Sequence, residues 1–206
     1  MLGNDVVDLA HAEARPGGVS ARFDGRVFSD VERSLVEATD EPGGATGRIW
    51  RWRLWSAKES AYKAMRKTSS ELGWSPVLFQ VRLEEAGVTV EHDDVQVPVR
   101  WIEGPRREGG PEWLHALAGD AARVVSHVGL RGDEDESEAV RRRVCETAAA
   151  LAGIETSQVR VETHDRIPVL RVNEARHDLS LSHHGRFVAF AFDRTAKVAA
   201  VHEAAA

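Results

Sequence analysis

Twice along this chain a helical stretch is followed by a run of strand-like stretches, and that order constrains the fold more than any other feature. In the first run Ile49, Trp52, Ala57, Ala61 and Ala64 recur at roughly helical spacing and predict a helix over 48–67. Strand-like stretches follow at 77–83, 88–91 and 95–102, then, after a Gly/Pro/Arg turn at 103–111, at 113–128. In the second run, 139–152 reads as a helix ended by Gly153, with strands at 159–163, near 169–172 and at 187–192. Helices grouped ahead of strands indicate an α+β fold. Upstream, 3–9 reads as a short strand carrying two acids, and 12–26 as a loop. Ser29-Asp30-Val31-Glu32 has the spacing of a capping box opening a helix that residues 40–47 break.

The 206 residues suffice for one domain or for two small halves sharing a core. The stretch from His115 to Val128 can be laid without a gap on Leu179 to Phe192, with Leu117 on Leu181 and Val124 on Val188. We therefore expect two pseudo-symmetric α+β halves, 1–130 and 131–206, joined by the acidic linker 131–138. Ser182 and His183 fall where the first copy has Ala118 and Gly119. One half would then supply polar chemistry that the other lacks, which predicts a single active site between them.

A net charge of −6 argues against a general nucleic-acid binder. No apolar run approaches the roughly 20 residues of a membrane helix. The early acid Asp5 and the lack of a basic segment before it argue against a secretory signal. Cys145 is alone, which excludes an intramolecular disulfide and a cysteine-based zinc site and makes a reducing cytoplasm the expected location. Arg48, Arg51, Arg53, Arg66 and Lys67 form a local basic group, for which charge alone favours a solvated helix face.

Three constellations carry chemistry. Asp5 and Asp8 lie in an otherwise apolar strand; a strand end can present Asp5 to a cleft, or both are ordinary surface acids. Trp55, Glu59 and Lys63 of Trp55-Ser-Ala-Lys58-Glu59-Ser-Ala-Tyr62-Lys63 fall along one helix face. Spacing alone makes Glu59 and Lys63 an i,i+4 pair worth about 0.2–0.5 kcal/mol. Ser180-Leu-Ser182-His183-His184-Gly185 is a polar turn whose hydroxyls and imidazole suit a phosphate, or a capped turn with an incidental His pair. No further His or Cys stands at zinc-ligand spacing from that pair.

Together, and in this order, Gly3-Asn-Asp5-Val-Val-Asp8, Phe28-Ser-Asp-Val-Glu32-Arg33, the Trp55–Lys63 segment and Ser180-Leu-Ser182-His183 resemble the 4′-phosphopantetheinyl transferases. The motif order is that of the short holo-acyl-carrier-protein synthase type, which forms trimers. The length is similar to that of the longer surfactin-synthetase-activating type, a pseudo-dimer in one chain whose motifs run in the other order. Arg166-Ile-Pro168 resembles the G-(K/R)-x-P region of the longer type.

The resemblance implies transfer of 4′-phosphopantetheine from coenzyme A, with Mg²⁺, to a serine of an acyl or peptidyl carrier protein. It implies Asp5 and Glu59 as metal ligands, Asp8 as an outer ligand, and water or Glu32 completing the shell. Val7 stands where the longer type often has a third ligand. Glu59 would be the base, and Asp5 and Lys63 would share the catalytic centre. Lys58 and Lys63 would meet coenzyme A phosphates or the reacting group. Ser182, His183 and Arg166 would grip its 3′-phosphate. The Arg48–Arg53 cluster would receive an acidic carrier, and a doubled chain would act as a monomer. A non-catalytic coenzyme A-binding relative, a Mg²⁺-dependent phosphohydrolase and a plain structural module are the competing readings.

Overall fold

Side-chain alternation gives β1 (Gly3–Asp8) two faces, and both are covered, so that all 6 of its residues are buried. The computed structural model describes residues 1–38, 45–85, 87–107, 110–120 and 123–194. Three helices follow β1: α1 (Ala21–Val27), α2 (Asp30–Ala38) and the long α3 (Ala45–Met65). Gly3, Asp5 and Val7 face α3. A methyl group at Gly3 would stand 1.8 Å from the Ser60 carbonyl oxygen, so glycine is what lets strand and helix lie this close. Asn4, Val6 and Asp8 face the other way, onto strands from the end of the chain.

The strands after α3 are β2 (Gln80–Glu84), β3 (Gly87–His92), β4 (Val95–Glu103), the short β5 (Arg106–Arg107) and β6 (Gly110–Pro111), and β7 (Trp113–Ala118). They form an antiparallel sheet in the order β1-β7-β4-β3-β2, with β5 and β6 paired apart from it. Next come β8 (Val124–Leu130), α4 (Glu136–Ala152), β9 (Val159–His164), β10 (Ile167–Val172), β11 (Ala175–His184) and β12 (Phe187–Asp193). Their antiparallel sheet has the order β8-β12-β11-β10-β9. The mixed, antiparallel architecture is α+β.

Each sheet buries one long helix. Ala57, Ala61 and Ala64, the helical-period residues of α3, pack on Val90, Val97, Val99 and Ala116. Small side chains there bring the helix axis close to the sheet. Val140, Val144 and Ala148 of α4 pack on Leu170, Leu179 and Phe190. The Asp135 carboxylate caps α4 by accepting from the Ser137 and Glu138 amides, and Gly153 ends it at a φ of 65°.

Several local expectations change. The 12–26 loop contains the start of α1, which spans Ala21–Val27. Within the expected break at 40–47, residues 40–44 lie outside the described residues and α3 already begins at Ala45. Within the 103–111 turn, residues 108 and 109 lie outside them. The expected linker 131–138 includes the start of α4. The stretch 113–128 is two strands in different sheets: β7 pairs with β1 and β4, whereas β8 pairs with β12. That corrects the ungapped overlay, because β11 and β12 are hairpin neighbours while β7 and β8 are not. Few identities supported the overlay, and similar apolar alternation fits any two strands. The pairing also carries residues 124–130, placed in the first half by a division at 130, into the second sheet.

Candidate active site

The Asp5 carboxylate and the Glu59 and Lys63 side chains meet where β1 crosses α3. Lys63 Nζ donates to Asp5 Oδ1 at 2.9 Å and to the Asn4 carbonyl at 3.1 Å, and it stands 3.9 Å from Glu59 Oε2. Strand parity aims Asp5 at the helix, and i,i+4 spacing brings Glu59 and Lys63 to the same strip of it. Burial, reinforced by the Asp5 charge and opposed by Lys63, lifts the Glu59 pKa from 4.5 to about 7. Burial alone would lower the Lys63 pKa, but Asp5 and Glu59 outweigh it and hold the ammonium above its ordinary range.

This donor set fits Mg²⁺. The cation is commonly held by one or two carboxylates, with phosphate oxygens and water filling the octahedron. Burial first and the Asp5 charge second disfavour ionised Glu59 even with Lys63 beside it, and further positive charge on the two carboxylates would oppose both. Val7, two residues on and on the same face, packs with Trp52 and Leu114, so the third-ligand position is apolar core.

Asp8 does not join Asp5. The two lie on opposite faces of β1, and both Asp8 oxygens are taken. Oδ1 accepts from the Ala10 amide at 2.9 Å and Arg186 Nη2 at 2.8 Å; Oδ2 accepts from the Arg186 amide at 3.1 Å and Nε at 2.8 Å. Burial would raise the Asp8 pKa, but these bonds bring it down from 3.8 to about 2. Asp8 therefore clasps the β11–β12 turn onto β1 instead of serving as an outer metal ligand. Gly185 in that turn has a φ of 56°, and a Cβ there would stand 2.7 Å from Asp8 Oδ2. Because the folded pKa is depressed, the clasp stabilises fully above pH 3.8 and is lost as pH falls through about 2. Asp8→Ala strips two backbone amides of their acceptor and should cost about 1–3 kcal/mol per amide left buried and unpaired. Denaturant titration at pH 7 and pH 2 should show a large deficit at the first and a much smaller one at the second.

Lys58 points away from the site. It is adjacent to Glu59, about 100° round the helix. Its ammonium is completely buried and donates to Glu32 Oε2 at 2.7 Å, the Val27 carbonyl at 2.9 Å and the Pro76 carbonyl at 3.1 Å. All its donors are engaged inside the protein, so it does not meet a coenzyme A phosphate. Glu32 is likewise committed. The capping box forms, with Glu32 Oε2 accepting from the Ser29 amide at 2.8 Å, while Oε1 accepts from the Val81 amide at 2.9 Å. It is not placed to complete a metal shell.

The β11 residues separate by parity. Ser180, Ser182 and His184 face β1, whereas His183 faces outward. Ser182 is buried and its Oγ accepts from Asn4 Nδ2 at 2.9 Å. His183 is about half exposed, with Nδ1 3.5 Å from Glu136 Oε1. Arg131 holds the same Glu136 at 2.6 Å and borders a basin of about 640 Å³ that Arg15, His11 and Arg186 also line. Arg166, on the β9–β10 turn, lines a different cleft of about 700 Å³ with Arg66, Thr68 and Ser70. Sequence spacing could not separate these two cationic surfaces.

The basic cluster is internally committed. Arg48 donates to the Leu9 and Ala14 carbonyls, Arg51 pairs with Asp24 at 2.9 Å, and Arg53 pairs with Glu103. These cations fasten α3 to its neighbours and are not a free landing surface for an acidic carrier. Lys67 is similarly held by Asp178 and two carbonyls.

Among the described residues, one trio of metal-type side chains comes together: His11, Glu13 and His184, whose ligand atoms lie within 4.8 Å of one another. Two imidazoles suit a transition metal better than Mg²⁺. However, His184 Nδ1 accepts from the Asp8 amide at 3.0 Å, so the neutral ring carries its proton on Nε2. That is the atom 3.7 Å from Glu13, and it presents a hydrogen there instead of a lone pair. Burial, with His11 beside it, keeps the His184 pKa low and the ring neutral. The trio is a donor–acceptor contact.

Asp5, Lys63 and Glu59 thus form a partly buried acid–ammonium–acid arrangement between a strand and a helix. The family model of the 4′-phosphopantetheinyl transferase superfamily matches residues 1–107, and the chain belongs to that superfamily. This is a family of coenzyme A-using transferases of the phosphopantetheinyl kind. The matched span contains Asp5, Glu59 and Lys63, while the Ser180–His183 motif lies beyond it. Comparison with curated proteins and with solved structures finds no match in either. No helix among the described residues is long and apolar enough to cross a membrane.

Proposed function

We propose that this chain transfers the 4′-phosphopantetheine arm of coenzyme A to a serine of an acyl or peptidyl carrier protein, with Mg²⁺, releasing 3′,5′-ADP. The observation that carries the reading is the Asp5–Lys63–Glu59 arrangement, with a carboxyl group of pKa about 7 at its edge. A base poised near neutrality suits removal of a hydroxyl proton. The serine oxygen forms a bond to the β-phosphorus, the bond from that phosphorus to the bridging oxygen breaks, and 3′,5′-ADP leaves. Glu59, or a water it holds, takes the serine proton. Lys63 sets positive charge beside the phosphate oxygens as the leaving group departs. Asp5 and Glu59 would hold Mg²⁺, which supplies further positive charge when bound.

The basin with Arg131 and Arg15 on its wall, where Arg131 shares Glu136 with His183, is our candidate seat for the nucleotide end of coenzyme A. Arg166 and Arg66 border a second candidate phosphate surface. We further propose two α+β halves divided ahead of β8, near residue 120, with one active site at their junction and a monomeric chain. Support comes from the sheet orders, in which a long helix precedes four neighbouring strands each time, β2, β3, β4 and β7 or β9 to β12, and an earlier strand, β1 or β8, joins the edge. A reducing cytoplasm is the proposed location, from the lone Cys145.

Release of 3′,5′-ADP tests the reaction. It should require coenzyme A, Mg²⁺ and an apo carrier together. Release without carrier would indicate a hydrolase instead. The apolar Val7 position favours a second reading, a coenzyme A-binding relative without transferase activity, for which coenzyme A would bind and no release would occur under any condition.

A further inference from the structure

β1 is an edge strand, so the backbone groups on its outer side need partners from elsewhere. Alternate residues of β11 provide them. The Asn4 amide donates to Ser180 Oγ at 2.9 Å, and the Asp8 amide donates to His184 Nδ1 at 3.0 Å. Between these two, Ser182 Oγ accepts from the Asn4 side chain at 2.9 Å. The same Asn4 amide group donates to His115 Nε2 on β7 at 3.1 Å, and the Asn4 carbonyl receives Lys63 Nζ at 3.1 Å. Asn4 is fully buried and thereby ties β11, β7 and α3 to the residue immediately before Asp5.

We propose that Asn4 is a positioning residue, which uses the docking of the second sheet on β1 to fix the Lys63 ammonium between Asp5 and Glu59. On this account Ser182 anchors Asn4 and does not touch coenzyme A. The inference rests on the transferase reading for its kinetic effects, while the hydrogen-bond network itself can be tested without activity. With Asn4 Nδ2 as the donor, His115 accepts at Nε2 and carries its proton on Nδ1. Its burial, with Lys63 and Arg100 close by, keeps the ring neutral, which is what an acceptor must be.

The test compares Asn4→Leu, Ser182→Ala and the double variant in the full chain, using apo carrier, coenzyme A and Mg²⁺. Asn4→Leu should lower kcat by about 10- to 100-fold, the penalty of small misplacements at a reacting centre, with KM for coenzyme A within about twofold. Ser182→Ala should lower kcat less, and the double variant should be no worse than Asn4→Leu alone, because both act through one contact. An unchanged kcat in Asn4→Leu would overturn the proposal. So would a Ser182→Ala variant that raises KM for coenzyme A at constant kcat. If Asn4→Leu does not fold, Asn4→Ser takes its place with the same expected split. If the wild type transfers nothing, ¹⁵N spectra of the His115 ring decide. The ring should be the Nδ1-protonated tautomer, and its Nε2 resonance should move when Asn4 is replaced; an Nε2-protonated or unresponsive ring would reject the network.

Discussion

Glu59→Gln should lower carrier modification by two to four orders of magnitude, the usual contribution of a positioned base. The substitution keeps the shape of the side chain and removes its charge, so any loss reports on the carboxylate. In the wild type, activity should rise with pH as Glu59 deprotonates, through a value at or below about 7, since a cation on Asp5 and Glu59 favours the ionised form. A second measurement fixes the sign. The folded-state pKa is raised from 4.5 to about 7, so the stability that goes with protonated Glu59 is complete below pH 4.5 and is lost as pH rises through 7. In EDTA, Glu59→Gln should therefore melt above the wild type at pH 8 and gain little or nothing at pH 4.5. A variant that loses activity while gaining metal-free stability is what a functional carboxylate, held against its own electrostatics, should give.

Lys58→Met should destabilise the protein by about 3–5 kcal/mol, because it leaves the Glu32 carboxylate buried without its cation. The double variant Lys58→Met with Glu32→Leu should recover part of that loss. It will not recover all of it, since Glu32 also accepts from the Ser29 and Val81 amides. Urea titration of the wild type, the single and the double variant measures both steps. KM for coenzyme A in the double variant separates this account from the one in which Lys58 grips a phosphate: the internal pair predicts a KM close to that of the wild type, whereas phosphate contact predicts a large rise.

The meeting of Asp5, Glu59 and Lys63 was legible in the sequence because two simple periodicities determine it. Strand parity turns Asp5 towards whatever covers that face of β1, and a four-residue step along α3 puts Glu59 and Lys63 on one strip. The same geometry could have removed Lys58, which shares its strip with Leu54 and Ala61, both buried. The motif instead suggested that neighbouring letters share a task. The engagement of Asp8 was not legible, because its partner, Arg186, lies 178 residues away and no local pattern announces the pair. Ser182 and His183 alternate across β11, so adjacency in the motif meant opposite directions in space. The arginines of α3 drew attention as a basic group, but Asp24 and Glu103, which neutralise two of them, reach the helix only through the tertiary fold.

The most direct test of the central claim is the intact mass of an apo carrier protein after incubation with this chain, coenzyme A and Mg²⁺. The account predicts a gain of one phosphopantetheine per carrier, lost with EDTA and with Glu59→Gln. No gain on fatty-acid, polyketide or peptide carriers, from a folded protein that still binds coenzyme A by calorimetry, would contradict it.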